Sequence, residues 1–158
     1  MKNYNEFFIG NKWVKPSSND RLKVINPFTE EEIASVPEAK EADMDLAVSA
    51  ARDAFDNGPW PKMSATERAE CMSQLSELLK SKAEEIAATV TAEMGSPISF
   101  SLGGQAFAPI MVLDYYIELA KTFPFEEMRQ GLLNPVKVFR EPVGVVALVT
   151  PWNVPLFT

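Results

Sequence analysis

The sequence predicts an α/β protein, on three observations. Its first forty residues carry turn signals between short apolar runs, as hairpins do. From Glu41 the apolar residues recur at three- and four-residue steps, the helical period. Near the end, Val143 to Val149 is apolar at every position, as expected of a strand covered on both faces of a parallel sheet.

Phe7, Phe8 and Ile9 lead into a Gly10-Asn11 turn signal, and Trp13 and Val14 come after it, so two short strands pair there. A second hairpin is expected from Leu22, Val24 and Ile25 across Asn26-Pro27-Phe28-Thr29 to Ile33 and Val36, with Pro27 punctuating the turn. Met44, Ala47, Val48, Ala51, Ala54 and Phe55 then form one apolar helical stripe, which should stop at Asn57-Gly58-Pro59.

Ser64 with Glu67, and Ser81 with Glu84, both have capping-box spacing, so each serine is predicted to start a helix. Met72, Leu75, Leu78 and Leu79 line the first helix. Ile86, Ala87, Val90 and Met94 line the second, and Gly95 closes it. A further helical stretch runs from Pro97 through Ile110, Leu113, Tyr116 and Leu119, weakened in its first half by Gly103, Gly104 and Pro109. After Phe123-Pro124-Phe125 a polar connector is expected, then Val136 to Arg140 alternates like a half-exposed strand.

Composition narrows the function. Fifteen Lys and Arg against 22 Asp and Glu leave a net charge of -7, which repels phosphate backbones and argues against a nucleic-acid partner. No apolar run reaches the roughly 18 residues that span a bilayer, so no membrane role is expected. The absence of His removes His-based metal sites and His-dependent triads, and no metal site is predicted. Cys71 has no internal disulfide partner, and the N-terminus lacks the pattern of a secretory signal, so the expected location is the cytoplasm. Cys71 itself sits in an amphipathic helix without a His neighbour and is expected to be a structural, partly buried thiol.

The candidate site lies at the end of the chain. Ligands of open α/β sheets bind beyond the carboxyl ends of parallel strands, here Thr150, Pro151, Trp152 and Asn153. Asn153 offers a neutral N–H₂ donor that can hold a developing alkoxide without titrating. By spacing alone the plainer reading is stronger, because an Asn after Pro-Trp is usually a turn former or cap.

From Phe8 onward the chain resembles the N-terminal region of the aldehyde dehydrogenase superfamily. The resemblance is carried by Phe8-Ile9-Gly10 with Trp13-Val14, Ile25-Asn26-Pro27 with Thr29 and Glu31, Ala50-Ala51 with Ala54-Phe55, and Trp60. It continues through Glu67-Arg68, Glu93 with Gly95 and Pro97, and Tyr115-Tyr116. Its most specific pieces are Arg140-Glu141-Pro142-Val143-Gly144-Val145-Val146 and Pro151-Trp152-Asn153.

The resemblance implies a Rossmann-like cofactor domain, a catalytic domain with a nucleophilic Cys, and a strand-rich oligomerisation arm. It implies oxidation of a small-molecule aldehyde to a carboxylic acid, with NAD or NADP as cofactor, through a cysteine thiohemiacetal. Asn153 takes the oxyanion role, Val149, Thr150, Pro151 and Trp152 line the nicotinamide-ribose side of the cofactor cleft, and the whole enzyme is a homo-oligomer, a dimer or tetramer. The catalytic Cys, the Glu base and the ribose-binding residues have no match before Thr158, so the chain reads as a piece that is inactive alone.

Residues 1-142 are expected to form the hairpins and helical region, with arm strand 136-141. Residues 143-158 are expected to be the first buried strand and site loop of the cofactor domain. The alternative is a stand-alone, non-catalytic binding or interaction module that retains this scaffold. Two departures stand out. Glu30 replaces the Gly usual after Thr in the Asn-Pro-x-Thr-Gly turn, leaving that turn's backbone open, and Val154 stands where Phe is common, implying a roomier substrate channel.

Overall fold

The computed structural model describes residues 4–158. Hairpin, helix and strand succeed one another in the predicted order. β1 (Phe7–Ile9) pairs antiparallel with β2 (Lys12–Val14), and Phe8 faces Trp13 with ring centroids 5.2 Å apart. Gly10 and Asn11 both have positive φ, 57° and 65°, the combination whose twist matches the flanking strands.

β3 (Arg21–Ile25) pairs with β4 (Glu32–Pro37), with a register shift between Val24 and Ile25. Between them, Asn26 Oδ1 accepts from the backbone N–H of Phe28 (2.9 Å) and Thr29 (3.2 Å), a side-chain mimic of a backbone turn. Glu30 closes the turn at φ 60°, so this position keeps the left-handed backbone that Gly takes most easily.

α1 (Glu41–Asn57) begins where predicted and ends at Gly58-Pro59. Its first turn is tied down by buried Asp43, whose carboxylate accepts from Lys40 N (2.9 Å), Ser17 N (2.9 Å) and Ser17 Oγ (2.8 Å). These bonds hold the Asp43 carboxyl below its ordinary pKa, the Lys40 N–H first and the Ser17 hydroxyl next. The apolar stripe is present in sequence, yet Met44 and Val48 stay about half exposed.

α2 (Ala65–Ser81) starts at the Ser64 box: Ser64 Oγ accepts from Glu67 N (3.2 Å) and Glu67 accepts from Ser64 N (2.7 Å). The second box does not form. Ser81 is the last residue of α2 and donates its hydroxyl back to the Leu78 carbonyl (2.7 Å), while Lys82 stands at the N-cap of α3 (Ala83–Met94). The two helices nearly abut, and a serine that ends one helix cannot also take the extended backbone of an N-cap. Gly95 ends α3 in the left-handed conformation, φ 78°. Cys71, expected to be partly buried, is exposed, because the buried positions of α2 are Ala69 and Ser76.

The stretch after Pro97 is helical throughout but not uniformly α. α4 (Ile98–Phe100) leads into a π-helical turn at Ser101–Phe107, then α5 (Ala108–Thr122). Pro109 has no N–H for the Gln105 carbonyl, and its ring would collide with that oxygen in an α-helix. The widened turn, in which Ala108 N–H reaches back to the Gly103 carbonyl, removes the conflict. The core lies where α2, α3, the π turn and α5 meet, lined by Ala69, Ala87, Val90, Ala106, Ile110 and Ile117. Small residues there let the helix backbones approach closely.

β5 (Glu126–Arg129) replaces the expected polar connector and pairs antiparallel with β6 (Val136–Phe139). Opposite charges meet across this hairpin, Lys137 with Glu126 and Arg140 with Glu127, while Arg129 pairs with Glu127 within β5.

Val143 to Val149, expected to be the first strand of the cofactor domain, stands uncovered among the described residues. The segment belongs to no strand, and residues 141–150 make no backbone–backbone hydrogen bonds among the described residues. Val143 (100%), Leu148 (81%) and Val149 (95%) are open to solvent. A buried parallel strand needs hydrogen-bonded neighbours on its edges and layers on its faces, and no described element supplies either. The accessible surface, 11691 Å², exceeds the roughly 7,900 Å² expected of a compact folded monomer of this mass.

Candidate functional site

The terminal loop carries every residue picked out from sequence. Val149, Thr150, Pro151 and Trp152 are all exposed, Trp152 at 73%, and Trp152 enters a short turn. The Asn153 side chain is exposed too and makes no hydrogen bond among the described residues. Asn153 lies in a turn, as the plainer reading expects, and its side-chain amide stays open to solvent.

Residues 154–158 are better anchored. Thr158 closes a turn on the Val154 carbonyl through its N–H (3.2 Å) and hydroxyl (2.9 Å). Pro155 and Leu156 border a groove with Ile86, Thr89, Val90 and Glu93 of α3. Phe157 borders another with Met111, Val112 and Tyr115 of α5. The loop therefore sits between α3 and α5, beside the π turn.

Sequence reasoning missed Gln105, the residue that ties the loop to the helices. Gln105 Nε2 donates to the Asn153 carbonyl at 2.8 Å, and the side chain is 1% exposed. A signal existed in the Gly-Gly-Gln run before a proline, which marks an irregular helix, but period alone could not say which way Gln105 points. Beside it, Thr91 donates to Ser101 (2.8 Å), and Ser96 bonds Ser101 as well, so hydroxyls satisfy one another where α3 meets the π turn.

Cys71 lies apart from this loop, on the exposed face of α2. Glu93, in the last turn of α3, is exposed. Among the described residues no group of His, Cys, Asp and Glu is arranged to hold a metal ion, and no helix is long and apolar enough to cross a membrane.

Comparison with known proteins agrees with the resemblance seen in the residues. Residues 13–158 match the model of the aldehyde dehydrogenase family. A 3-succinoylsemialdehyde-pyridine dehydrogenase from a Pseudomonas species is 39% identical over 157 residues, covering 99% of this chain and 32% of that protein. The crystal structure of a Mycobacterium tuberculosis aldehyde dehydrogenase complexed with NAD+ superposes with a TM-score of 0.94 at 39% identity, over 98% of this chain and 32% of that one. An NAD-dependent aldehyde dehydrogenase from Sinorhizobium meliloti gives 0.91 at 32% identity, over 99% and 31%. The chain thus spans about a third of the length of the relatives it matches. On the family match and these likenesses together, the chain belongs to the aldehyde dehydrogenase family.

Proposed function

We propose that this chain is the N-terminal part of an enzyme that oxidises an aldehyde to a carboxylic acid with NAD+ or NADP+. Asn153 donates its amide N–H to the oxygen of the aldehyde as a cysteine from outside residues 1–158 adds to the carbonyl carbon. Negative charge then collects on that oxygen, and a preorganised neutral donor stabilises it more in the transition state than in the ground state. One observation carries this reading: the Asn153 amide has no protein partner among the described residues, although its backbone is anchored to the helices.

Thr150, Pro151 and Trp152, with Val149, would hold the nicotinamide-ribose portion of the cofactor. Their open backbone groups can meet ribose hydroxyls and an amide, and the exposed Trp152 offers apolar surface, so the residues fit such a group. When bound, the cofactor accepts a hydride. The similar mycobacterial structure holds NAD+, which supports this choice of ligand. Half-buried Val154, smaller than Phe, suits a wider channel and a bulkier aldehyde.

On this reading residues 1–158 alone are inactive, since they hold neither nucleophile nor a complete cofactor site. Residues 143–158 are the start of the cofactor domain, and the β5–β6 hairpin belongs to an arm that completes a homo-oligomer, a dimer or tetramer. The large apolar surface supports both assignments. A single cysteine, exposed and unpaired, suits the reducing cytoplasm.

Asn153→Ala in the full-length protein tests the reading. Loss of one oxyanion donor lowers kcat by about 10²- to 10³-fold with cofactor affinity little changed. Near-normal kcat with a lowered Tm would make Asn153 a turn residue and remove the oxyanion assignment.

A further inference from the structure

We propose that Gln105 is the positioning residue for Asn153, holding the peptide on its C-terminal side so that the Asn153 side chain points at the reacting oxygen. The inference rests on the oxyanion reading of Asn153 and adds the group that makes that donor preorganised.

Residues 141–150 make no backbone–backbone hydrogen bonds among the described residues, and Asn153 stands in a short turn just beyond them, so its tie to the helices comes from Gln105. The Gln105 amide reaches it across the fold, 48 residues away in sequence, at 2.8 Å. Gln105 is 1% exposed, and a buried primary amide is costly unless its groups are bonded. Its second Nε2 contact is a weak one to Met94 Sδ at 3.7 Å, and its Oε1 has no partner among the described residues. The bond to Asn153 is therefore the principal one that Gln105 makes.

The π turn explains how the side chain gets there. The widened backbone forced by Pro109 turns Gln105 inward between α3 and the terminal loop, and π turns of this kind recur at functional sites. Clamping the Asn153 carbonyl fixes the peptide plane between Asn153 and Val154. That plane sets the direction of the Asn153 side chain, and a displacement of about 1 Å at a catalytic group can cost about 10²-fold in rate.

The test is a cycle in the full-length protein with Gln105→Met, Asn153→Ala and the double variant, using NAD+ and an aldehyde that the wild type oxidises. Met keeps the volume of Gln and removes the N–H donor. The expected result is a kcat lowered about 10-fold or more by Gln105→Met, with the KM for NAD+ unchanged and no further loss when it is added to Asn153→Ala. Hydrogen exchange should rise in residues 150–158 and stay at wild-type rates in α3 and α5.

If Asn153→Ala lowers kcat but Gln105→Met leaves it within about 2-fold, positioning by Gln105 is wrong and the oxyanion reading survives. If Asn153→Ala leaves kcat near wild type, the oxyanion reading fails and this inference falls with it. Equal losses from Gln105→Met in both backgrounds, faster exchange across α3 and α5, or a variant that does not fold would make Gln105 a core residue only.

Discussion

Glu30→Gly should stabilise the protein, although it removes a side chain and adds backbone freedom. Glu30 sits at φ 60°, where an L-residue with a Cβ is roughly 1–2 kcal/mol less stable than in its usual regions. Gly is spared that strain but loses more conformational entropy on folding, about 0.5–1 kcal/mol. The difference spans roughly 0–1.5 kcal/mol and centres on a net gain of about 0.75 kcal/mol. Nothing else at the position should change, since the Glu30 side chain is exposed and its N–H to the Asn26 carbonyl (2.8 Å) is a backbone bond that any residue keeps. For a cooperative unit of 150–250 residues, 1 kcal/mol moves Tm by about 2–4 °C, so a rise of about 1–4 °C is expected. Scanning calorimetry on the wild type, Glu30→Gly and Glu30→Ala checks it. Both substitutions remove one negative charge from a chain of net charge -7, but Ala keeps the strain. A rise in Ala equal to that in Gly would refute the backbone argument and assign the gain to relieved charge repulsion.

The caps give two further expected outcomes. Ser64→Ala should cost about 1 kcal/mol, because it leaves the Glu67 N–H without its acceptor, whereas Ser81→Ala should change stability by less than about 0.5 kcal/mol; equal effects in denaturant melts would mean that the second box forms after all. Asp43 has a depressed pKa when folded, so its contribution is complete above the ordinary carboxylate range and is lost as pH falls through the folded value. Asp43→Asn should therefore lower Tm at neutral pH, and the gap to wild type should close in acid; a gap independent of pH would refute ionisation as the source.

Local chemistry was legible from the residues alone. The Gly10-Asn11 turn, the Asn26-Pro27 turn, the Ser64 box and the Gly95 stop each depend on a side chain and its own backbone within a few residues, so a sequence window contains the whole interaction. The family was legible for a related reason, since spaced motifs such as Pro151-Trp152-Asn153 can be recognised without knowing what they touch. Failures came where the deciding group lies far along the chain. β5 reads as polar connector until β6 supplies the opposite charges, and Ser81 has the right spacing for a cap but is already used by α2. Val143 to Val149 is a different case: it has the composition of a buried strand, and the neighbours that would cover it are not among the described elements. The Gly-Gly-Gln run marked an irregular helix, but the partner of Gln105 lies 48 residues away. The sequence by itself determined the turns, most helix ends, the family and the identity of the candidate donor Asn153. Only the tertiary structure decided that a π turn aims Gln105 at the Asn153 carbonyl, because that contact spans 48 residues and depends on how two helices pack.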